Sequence, residues 1–340
     1  MIGSTLRKWK ELAANRLRER TAAKGVILMY HRVERPEVDP WALAVTPGHF
    51  AEQIALLKKV AQPMSLAALS RAHRQGKIPE RAVAITFDDG YADNLYSAKP
   101  ILEQYETPAT VFVTTANTVS QREFWWDEWE RICFANEPLP KQLQLEFRGR
   151  SRSWELGEAI HRQDAGGMPP WEAPAGTRLA LYYSVWQELQ QLGVSEREDA
   201  LDQLKSWAGL DTGARSSHRP MSPDELRVLV AGGGISLGAH TVSHPLLSAH
   251  SPRLQKNEIE NSKAYLENIL GHQLTEFSYP FGGYNKHSVS LVQKAGFNCA
   301  CSTKEATVWK WSNRFLLPRF TVQDWGEAVF ESRLMRWFEH

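Results

Sequence analysis

The stretch AITFDDGY, residues 84–91, is a short apolar run that ends in two adjacent carboxylates. An apolar run of this length is typical of a strand buried on both faces of a parallel sheet. If Asp88 and Asp89 both ionise in a partly dry pocket they repel each other, so a cation or hydrogen-bond donors must compensate. Adjacent side chains diverge, so one carboxylate can bind a metal while the other acts as a base. The alternative for this stretch alone is an ordinary Asp-Gly turn after a strand.

Similar apolar runs recur along the chain and alternate with segments of helical periodicity. The runs lie at residues 26–30, 83–87, 109–114, 235–239, 276–279, 297–301 and 315–320. The helical segments lie at residues 49–60, 92–105, 223–231, 251–270 and 286–295. Alternation of this kind predicts an α/β fold, with a parallel sheet or barrel and helices outside it.

The alternation stops at residues 117–221, where the sequence is rich in Trp, Gln and Pro and lacks short apolar runs. Helical spacing at residues 178–192 and 196–207 predicts a mostly helical insertion. A cluster of Gly and Pro at residues 163–176 indicates a linker within it. The large aromatic residues Trp125, Trp126 and Trp129 are interpreted as one face of a helix in this insertion.

Length and composition restrict the class of protein. The chain has 340 residues, of which 42% are hydrophobic and 23% are charged, and this composition excludes intrinsic disorder. The length allows one decorated domain or two domains. A formal net charge of +1 removes the general electrostatic argument for a nucleic-acid partner. Three cysteines without a C-x-x-C pair indicate neither a disulfide framework nor a thiolate zinc site.

Residues 1–24 form a basic segment with seven Lys or Arg and two Glu. Its apolar residues recur at helical spacing: Ile2, Leu6, Trp9, Ala13 and Leu17. This spacing predicts an amphipathic helix, which either packs on the domain, extends as a solvated leader, or lies on an anionic membrane surface. The segment lacks the apolar core of a secretion signal, and the chain lacks an apolar stretch long enough to span a bilayer. We therefore expect a cytoplasmic protein, with peripheral contact at the inner membrane face as an alternative.

Two imidazoles follow another predicted strand, in the sequence GAHTVSHP at residues 238–245. The four-residue spacing of His240 and His244 suits chelation of a metal. Thr241 stands where a zincin protease has its Glu, so a protease of that type is excluded. Two His and one Asp make the three-ligand, one-open-position pattern of a catalytic metal centre. The expected cofactor is a divalent metal ion, with zinc favoured and cobalt, nickel or manganese as alternatives.

These motifs resemble those of the polysaccharide deacetylases of carbohydrate esterase family 4, which share the NodB homology domain. The matching pieces are TFDDG at 86–90, HTVSHP at 240–245 and SYPFG at 278–282, in the family's order. The resemblance covers roughly residues 25–116 and 220–320. It implies an irregular (β/α) TIM-like barrel over residues 25–340, interrupted by the helical insertion.

The resemblance also assigns roles to individual residues. Asp88 is similar to the family's catalytic base, while Asp89, His240 and His244 are similar to its metal ligands. The backbone N–H of Phe281 corresponds to the group that completes the oxyanion hole, within the substrate-site segment Tyr279, Pro280, Phe281 and Gly282. Oxyanion stabilisation needs only the backbone donor, so the side chain of Phe281 need not matter for this role. The alternative for this segment alone is a Pro-Gly turn that closes a strand.

The sequence departs from the family pattern at two places. The family has an Arg just before the Pro of the third motif, which helps to hold the catalytic Asp, whereas this chain has Ser278 and Tyr279 there. Arg319 is the candidate substitute cation, and an ordinary ion-pair Arg is the alternative. The family's C-terminal Leu-x-His motif, which supplies the general acid, is also missing. His31 replaces it as the expected acid, because it follows a predicted strand that leads to the same barrel mouth.

Together these features predict a metal-dependent hydrolase that removes an N-acetyl group from an amino sugar. The expected partner is an N-acetylated polysaccharide, oligosaccharide or glycolipid precursor, and nucleic acid is not expected. One alternative is a deformylase or another amidohydrolase on a related acylated sugar. A second is a carbohydrate-binding relative without catalytic activity, which the retained Asp88, Asp89, His240 and His244 argue against.

Overall fold

The computed structural model describes residues 24–161, 168–210 and 213–339. Its strands, in chain order, are β1 Gly25–Tyr30, β2 Arg32–Val33, β3 Ala44–Val45, β4 Gln62–Pro63, β5 Ala82–Phe87, β6 Ala109–Val113, β7 Gln142–Phe147, β8 Arg150–Glu155, β9 Ile235–Ala239, β10 Glu276–Ser278, β11 Cys299–Cys301 and β12 Phe320–Thr321.

The α-helices are α1 Pro47–Val60, α2 Leu66–Arg74, α3 Lys99–Gln104, α4 Ala116–Ser120, α5 Trp125–Cys133, α6 Arg178–Gln190, α7 Val194–Ala208, α8 Pro223–Val230, α9 Pro252–Leu270, α10 Lys286–Lys294 and α11 Glu327–Glu339. A π-helical segment, Asn94–Ala98, runs into α3 just before Pro100. Pro100 has no backbone N–H, so the regular hydrogen-bond ladder cannot continue through it. In the described part of the chain, no helix is long and apolar enough to cross a membrane.

A curled, parallel half-barrel sheet is the centre of the fold. Its strand order is β11-β10-β9-β6-β5-β1-β12, and β4 pairs with the start of β5. Successive strands are connected by helices, as parallel pairing requires. The predicted α/β fold, with a curled parallel sheet and helices outside it, is confirmed.

Strand register brings the ends of the strands to one edge of the sheet. Tyr30 at the end of β1 pairs with Phe87 at the end of β5, so His31 and Asp88 leave neighbouring strands at the same level. Val113 of β6 pairs with Ala239 of β9, which places His240 at this edge as well. The carboxyl ends of the strands therefore carry the candidate site, the usual position of active sites in barrels of this kind.

The two faces of the sheet are buried in different hydrophobic clusters. Val26, Leu28 and Tyr30 of β1 belong to the larger cluster, which includes residues of the surrounding helices, whereas Ile27 belongs to a smaller one. All six residues of β1 are buried. Full burial of one such side chain stabilises the fold by about 1.5–3 kcal/mol. Alternate side chains on opposite faces explain why this strand is apolar throughout rather than at every second residue.

The region at residues 117–221 differs from its prediction in one element. It contains α5, α6 and α7 as expected, but also the antiparallel hairpin β7–β8, which the sequence analysis did not predict. Leu143 and Leu145 are buried and alternate with exposed residues, while β8 is mostly exposed. The two residues that connect the strands, Arg148 and Gly149, both have positive φ, as a tight hairpin turn requires. Because β8 consists mostly of polar residues, its sequence lacks the alternation of apolar and polar residues that predicts a strand.

Two other predictions concern the last apolar run and the segments outside the described residues. The strand predicted at residues 315–320 is wrong over most of its length, because only β12, Phe320–Thr321, is regular. Pro318 interrupts the run and cannot donate a ladder hydrogen bond. The amphipathic helix predicted at residues 1–24 lies outside the described residues except for Lys24, and so does most of the first half of the predicted linker at 163–176.

Candidate metal centre and active site

Three of the predicted ligands converge in the buried space at the strand ends. Asp89 Oδ1 lies 3.6 Å from His240 Nε2 and 3.3 Å from His244 Nε2. The two Nε2 atoms are 3.1 Å apart. All three residues are at most 5% exposed. The structure therefore brings together one carboxylate oxygen and two imidazole nitrogens, as the sequence predicted.

This donor set fits a divalent cation. His240 Nδ1 lies 2.8 Å from the carbonyl oxygen of Ser278, so this nitrogen carries the proton and Nε2 presents its lone pair. Asp89 Oδ1 is buried without a hydrogen-bond partner. Ligands at about 2.0–2.2 Å from a tetrahedral zinc ion are separated from one another by roughly 3.3 Å, which matches the observed spacings. A buried acceptor without a donor, facing two nitrogen atoms, is the arrangement that a cation would satisfy.

Backbone strain is concentrated at these positions. Asp89, Thr241, His244 and Phe281 all have positive φ, between 54° and 73°. Non-glycine residues rarely adopt this conformation, and a β-branched residue such as Thr241 does so least readily. Local hydrogen bonds compensate: Thr241 Oγ1 accepts from the backbone N–H of His244 at 3.1 Å.

The carboxylate of Glu258, on α9, also stabilises the loop that carries the two imidazoles. Glu258 Oε2 accepts from the backbone N–H groups of Val242 and Ser243, both at 2.8 Å. Its other oxygen accepts from the Ser243 hydroxyl at 2.7 Å. The sequence analysis did not identify Glu258, which lies 14 residues beyond His244 in the sequence. Its position on a helix packed beside this loop was not available from spacing alone.

Asp88 lies beside the candidate metal ligands and is held by Arg319. The guanidinium donates two parallel hydrogen bonds of 2.7 Å, one to each oxygen of Asp88. It also donates to the Ser278 hydroxyl at 2.9 Å and to the carbonyl of Ser302 at 3.0 Å. Arg319 is completely buried. The structure thus brings Arg319, the candidate substitute cation, into direct contact with Asp88.

The two adjacent carboxylates have opposite pKa shifts. Burial by itself would raise the pKa of Asp88, but the charge and hydrogen bonds of Arg319, together with His240, hold it below its ordinary value. The pKa of Asp89 is raised well above its ordinary value by burial and by the charges of Asp88 and Asp127. The charges of Arg319 and Arg32 compensate ionised Asp89 only in part, whereas Asp88 has the direct hydrogen bonds of Arg319. A cation at Asp89 would supply the missing charge.

The two imidazoles of the centre favour their neutral form. Burial lowers the pKa of His240, and burial together with the neighbouring His240 lowers the pKa of His244 well below its ordinary value. A neutral imidazole has the free nitrogen lone pair that metal binding requires. Both imidazoles are therefore better suited to bind a metal than to form an ion pair with Asp89.

His31 follows β1 and is partly exposed, next to Asp88. Its Nδ1 is buried without a hydrogen-bond partner. Burial lowers its pKa to about 4, although the charge of Asp88 acts in the opposite direction. Asn94 Nδ2 donates to the carbonyl of His31 at 2.9 Å and fixes the backbone of this residue. The structure therefore places an imidazole with an unsatisfied ring nitrogen at the same edge as the metal ligands.

The third motif forms a tight turn at the same edge. Tyr279 is completely buried and its ring packs against Phe277 and Tyr284, so only its backbone is available to a substrate. Pro280 is buried too, whereas Phe281 is partly exposed. The Phe281 ring packs against the His244 imidazole, with centroids 4.4 Å apart.

Gly282 and the positive φ of Phe281 set the shape of this turn. Gly282 has φ of 65°, and a Cβ atom there would lie 2.0 Å from Thr303 Oγ1. Its N–H donates to the Tyr279 carbonyl at 2.9 Å. Only glycine fits both the conformation and the space. The backbone that carries the expected oxyanion donor is therefore fixed by close packing against the chain after β11.

One aromatic residue of the insertion, Trp126 of α5, packs against the candidate ligand His244. The Trp126 ring lies 4.6 Å from the His244 ring, measured between centroids. Its indole N–H donates to the Tyr91 hydroxyl, which donates to Asp127 Oδ2, both at 2.8 Å. The sequence analysis interpreted Trp126 only as a helix-face aromatic. Its contact with His244 depends on how α5 packs on the sheet, which residue spacing does not reveal.

Within the described residues, Asp127, Glu130 and His218 form a second buried group of potential ligands. Here the protein itself supplies positive charge: Arg215 donates to Glu130 Oε2 at 2.8 Å. Burial and the nearby charges of Arg32, Arg215 and Arg131 lower the pKa of His218 to about 2. A cation would be repelled by the same guanidinium groups. This group therefore fits a buried ion-pair network better than a metal site.

Comparisons with known proteins agree with this geometry. The family model described as "Polysaccharide deacetylase" matches residues 75–139 and 204–300. YxkH of Bacillus subtilis (strain 168), a provisionally named polysaccharide deacetylase, is 28% identical over 88% of this chain and 72% of its own length. The poly-β-1,6-N-acetyl-D-glucosamine N-deacetylase of Escherichia coli (strain K12) is 40% identical over 25% of this chain, but the match spans only 13% of that protein.

A solved structure extends the similarity to the whole fold. The deacetylase PplD of Streptococcus pyogenes, in complex with acetate, superposes with a TM-score of 0.59 over 94% of this chain and all of that one, at 19% identity. The match to the family model includes Asp88 and Asp89 in its first part and both imidazoles in its second. The fold, the converging ligands and these matches together show that the chain belongs to the polysaccharide deacetylase family, which are hydrolases that act on amides.

Proposed function

We propose that this protein is a metal-dependent N-deacetylase that hydrolyses the acetamido group of an amino sugar in a polysaccharide, an oligosaccharide or a glycolipid precursor. The observation that carries the proposal is the convergence of Asp89, His240 and His244 beside an Asp88 that Arg319 holds by two hydrogen bonds. The names of the relatives support a sugar amide as the substrate.

Asp89 Oδ1, His240 Nε2 and His244 Nε2 would hold the cation. A divalent cation, when bound, lowers the pKa of a coordinated water from about 15.7 to about 7 and polarises a carbonyl oxygen. Asp88 is a weak base because Arg319 lowers its pKa. Proton transfer to Asp88 therefore depends on the increased acidity of the attacking water, and Arg319 keeps the accepting carboxylate in a fixed orientation.

Hydrolysis needs one proton taken from water and one given to the departing nitrogen. Asp88 takes the first proton, the backbone N–H of Phe281 stabilises the developing oxyanion, and His31 supplies the second proton as the C–N bond breaks. His31 is neutral at rest, because burial lowers its pKa to about 4. The negative charge that develops on the oxyanion raises this pKa, so the imidazole takes up a proton from solvent and passes it to the departing nitrogen. Acetate and the free amine leave.

The proposal is tested by metal content and acetate release, measured for the wild type and for Asp88→Asn. We expect stoichiometric zinc or another divalent metal in both proteins, and acetate release from N-acetylglucosamine oligomers reduced by at least about 100-fold in the variant. Asp224→Asn removes an exposed carboxylate and serves as the matched control. Formate release from N-formyl sugars without acetate release would support a deformylase. Absence of metal after reconstitution would contradict the catalytic proposal and favour a carbohydrate-binding relative.

A further inference from the structure

Two tryptophans of one short loop are exposed at the end of the sheet opposite the candidate metal centre. Trp309 and Trp311 belong to the sequence WKWSNR at residues 309–314, and they are 36% and 68% exposed. Lys310 stands between them, and its Nζ lies 5.1 Å from the centroid of the Trp311 ring. The loop therefore presents large apolar rings and a cation together to solvent.

The start of β1 fixes the position of this loop. Gly25 and Val308 exchange two backbone hydrogen bonds of 2.8 Å, so the loop that follows Val308 lies at the amino end of β1. The candidate metal ligands lie at the carboxyl ends of the strands, and a strand of six residues spans about 20 Å. The loop and the candidate metal centre thus lie at opposite ends of the sheet.

Hydrogen bonds hold the loop in a defined turn. The backbone N–H of Ser312 donates to the Trp309 carbonyl at 2.8 Å, and the N–H of Trp309 donates to Ser312 Oγ at 3.1 Å. Asn313 Oδ1 accepts from the backbone N–H of Phe315 at 3.0 Å. Since the backbone is already ordered, a partner of the exposed rings would lose little affinity in ordering the loop.

The end of α2 lies beside the loop and adds positive charge. Buried His73 of α2 lies next to the backbone of Trp309 and Ser312. Residues 66–81 contain four Lys or Arg and one Glu, and residues 309–314 contain two Lys or Arg and no acidic residue. We define the basal face as the following exposed residues: Arg71, Arg74, Lys77, Trp309, Lys310, Trp311 and Arg314.

The basic N-terminal segment joins the chain at the same place. Residues 1–24 carry seven Lys or Arg and two Glu, and of these residues only Lys24 belongs to the described part of the chain. Lys24 directly precedes Gly25 and lines the same groove as Trp309. The whole chain has a net charge of +1, so the sequence outside these three basic segments is net negative. Positive charge gathered at one end would orient the molecule on an anionic surface.

We propose that the basal face binds the anionic lipid surface of a membrane, with Trp309 and Trp311 at the level of the headgroups. Tryptophan favours this interface because its ring is apolar while its indole N–H can donate a hydrogen bond to water or headgroups. Each Lys or Arg near an anionic leaflet adds electrostatic attraction. A second copy of this chain is a poorer occupant, because a symmetric contact would bring like charges together.

Binding in this orientation directs the carboxyl ends of the strands away from the lipid. The candidate metal centre then stays open to a glycan in the aqueous phase. Lipid binding at the basal face requires neither the metal nor turnover, so it goes beyond the proposed function and does not depend on it.

The test is co-sedimentation of the full chain with vesicles of phosphatidylcholine, alone or mixed with phosphatidylglycerol at about three to one. We expect binding to the anionic vesicles only, and weaker binding at high salt, because salt screens surface charge. Trp311→Ala should lower the vesicle affinity at least about ten-fold and Lys310→Ala about five-fold. Trp171→Ala is the matched control, because Trp171 is 60% exposed but belongs to the insertion at 117–221.

Acetate release from soluble oligomers is the second readout, and it should be equal in Trp311→Ala and the wild type. A wild type that binds neither kind of vesicle would overturn the proposal. Equal vesicle binding by the wild type, Trp311→Ala and Lys310→Ala would overturn the assignment to the basal face, even where residues 1–24 carry the full chain to the lipid. Self-association that Trp311→Ala abolishes, or binding of a single-stranded oligonucleotide, in either case without vesicle binding, would overturn lipid as the partner.

Discussion

Replacement of Arg319 by Gln is expected to destabilise the protein and to change the ionisation of Asp88. Arg319 is fully buried and donates to both oxygens of Asp88 at 2.7 Å. Removal of one partner from a buried ion pair leaves the other charge uncompensated, which costs about 3–5 kcal/mol. We therefore expect the free energy of unfolding at pH 7, measured by urea denaturation, to fall by about this amount.

The contribution of the Arg319–Asp88 pair to the free energy of unfolding depends on pH. Arg319 holds the pKa of Asp88 below its ordinary value of about 3.9. The stability that the pair contributes is therefore fully present above about pH 4 and is lost as the pH falls through the lower pKa of the folded state. The difference in unfolding free energy between wild type and Arg319→Gln should be constant above the pKa that Asp88 has in the folded variant, and should shrink as the pH falls from there through the lower pKa of the wild type.

Activity provides an independent measurement. Without the guanidinium, the pKa of Asp88 is expected to rise, so the acidic limb of the kcat/KM profile should move to higher pH. Arg319→Lys keeps the charge but loses the paired hydrogen bonds, and should give intermediate values if the Gln variant does not fold. Arg227→Gln, which removes an exposed ion pair with Asp224, is the control. A loss below about 1 kcal/mol together with an unchanged acidic limb would refute the assignment of Arg319.

Three further predictions concern the same edge of the sheet. His31→Gln should lower kcat by about 100- to 10,000-fold without changing metal content, and a variant with wild-type kcat would exclude His31 as the acid. Added zinc should raise the melting temperature of the wild type, by an amount equivalent to about 2.7 kcal/mol at a hundredfold excess over Kd, and should have little effect on His244→Ala. Gly282→Ala should reduce activity and thermal stability, because its Cβ would collide with Thr303 Oγ1 at a position with positive φ; unchanged melting temperature and kcat would contradict this account.

Local sequence patterns were sufficient for much of the architecture. The apolar runs at 83–87 and 235–239 predicted β5 and β9 to within one residue, because strands buried on both faces are apolar throughout. The hairpin β7–β8 was missed, since β8 is polar and exposed and only the buried side chains of β7 alternate. The run at 315–320 was overpredicted, since hydrophobicity alone ignored the effect of Pro318.

The residues of the candidate site were likewise predictable from the sequence only in part. Asp88 and Asp89 are adjacent in the chain and His240 and His244 are four residues apart, so residue type and spacing alone indicated a metal centre at the ends of two strands. Those features depend on local backbone geometry, which neighbouring residues largely determine.

Tertiary structure alone decided which distant groups meet at this centre. Arg319 reaches Asp88 across 231 positions of sequence, because β12 pairs with β1 in a register that sets Phe320 opposite Leu28. The sequence named Arg319 as a candidate, but the alternative of an ordinary ion-pair Arg could not be rejected without that register. Trp126 and Trp186 lie beside Phe281 because the insertion packs its aromatic residues against the third motif. Hydrophobic burial is non-directional, so a sequence can show that these rings are buried but not what they pack against.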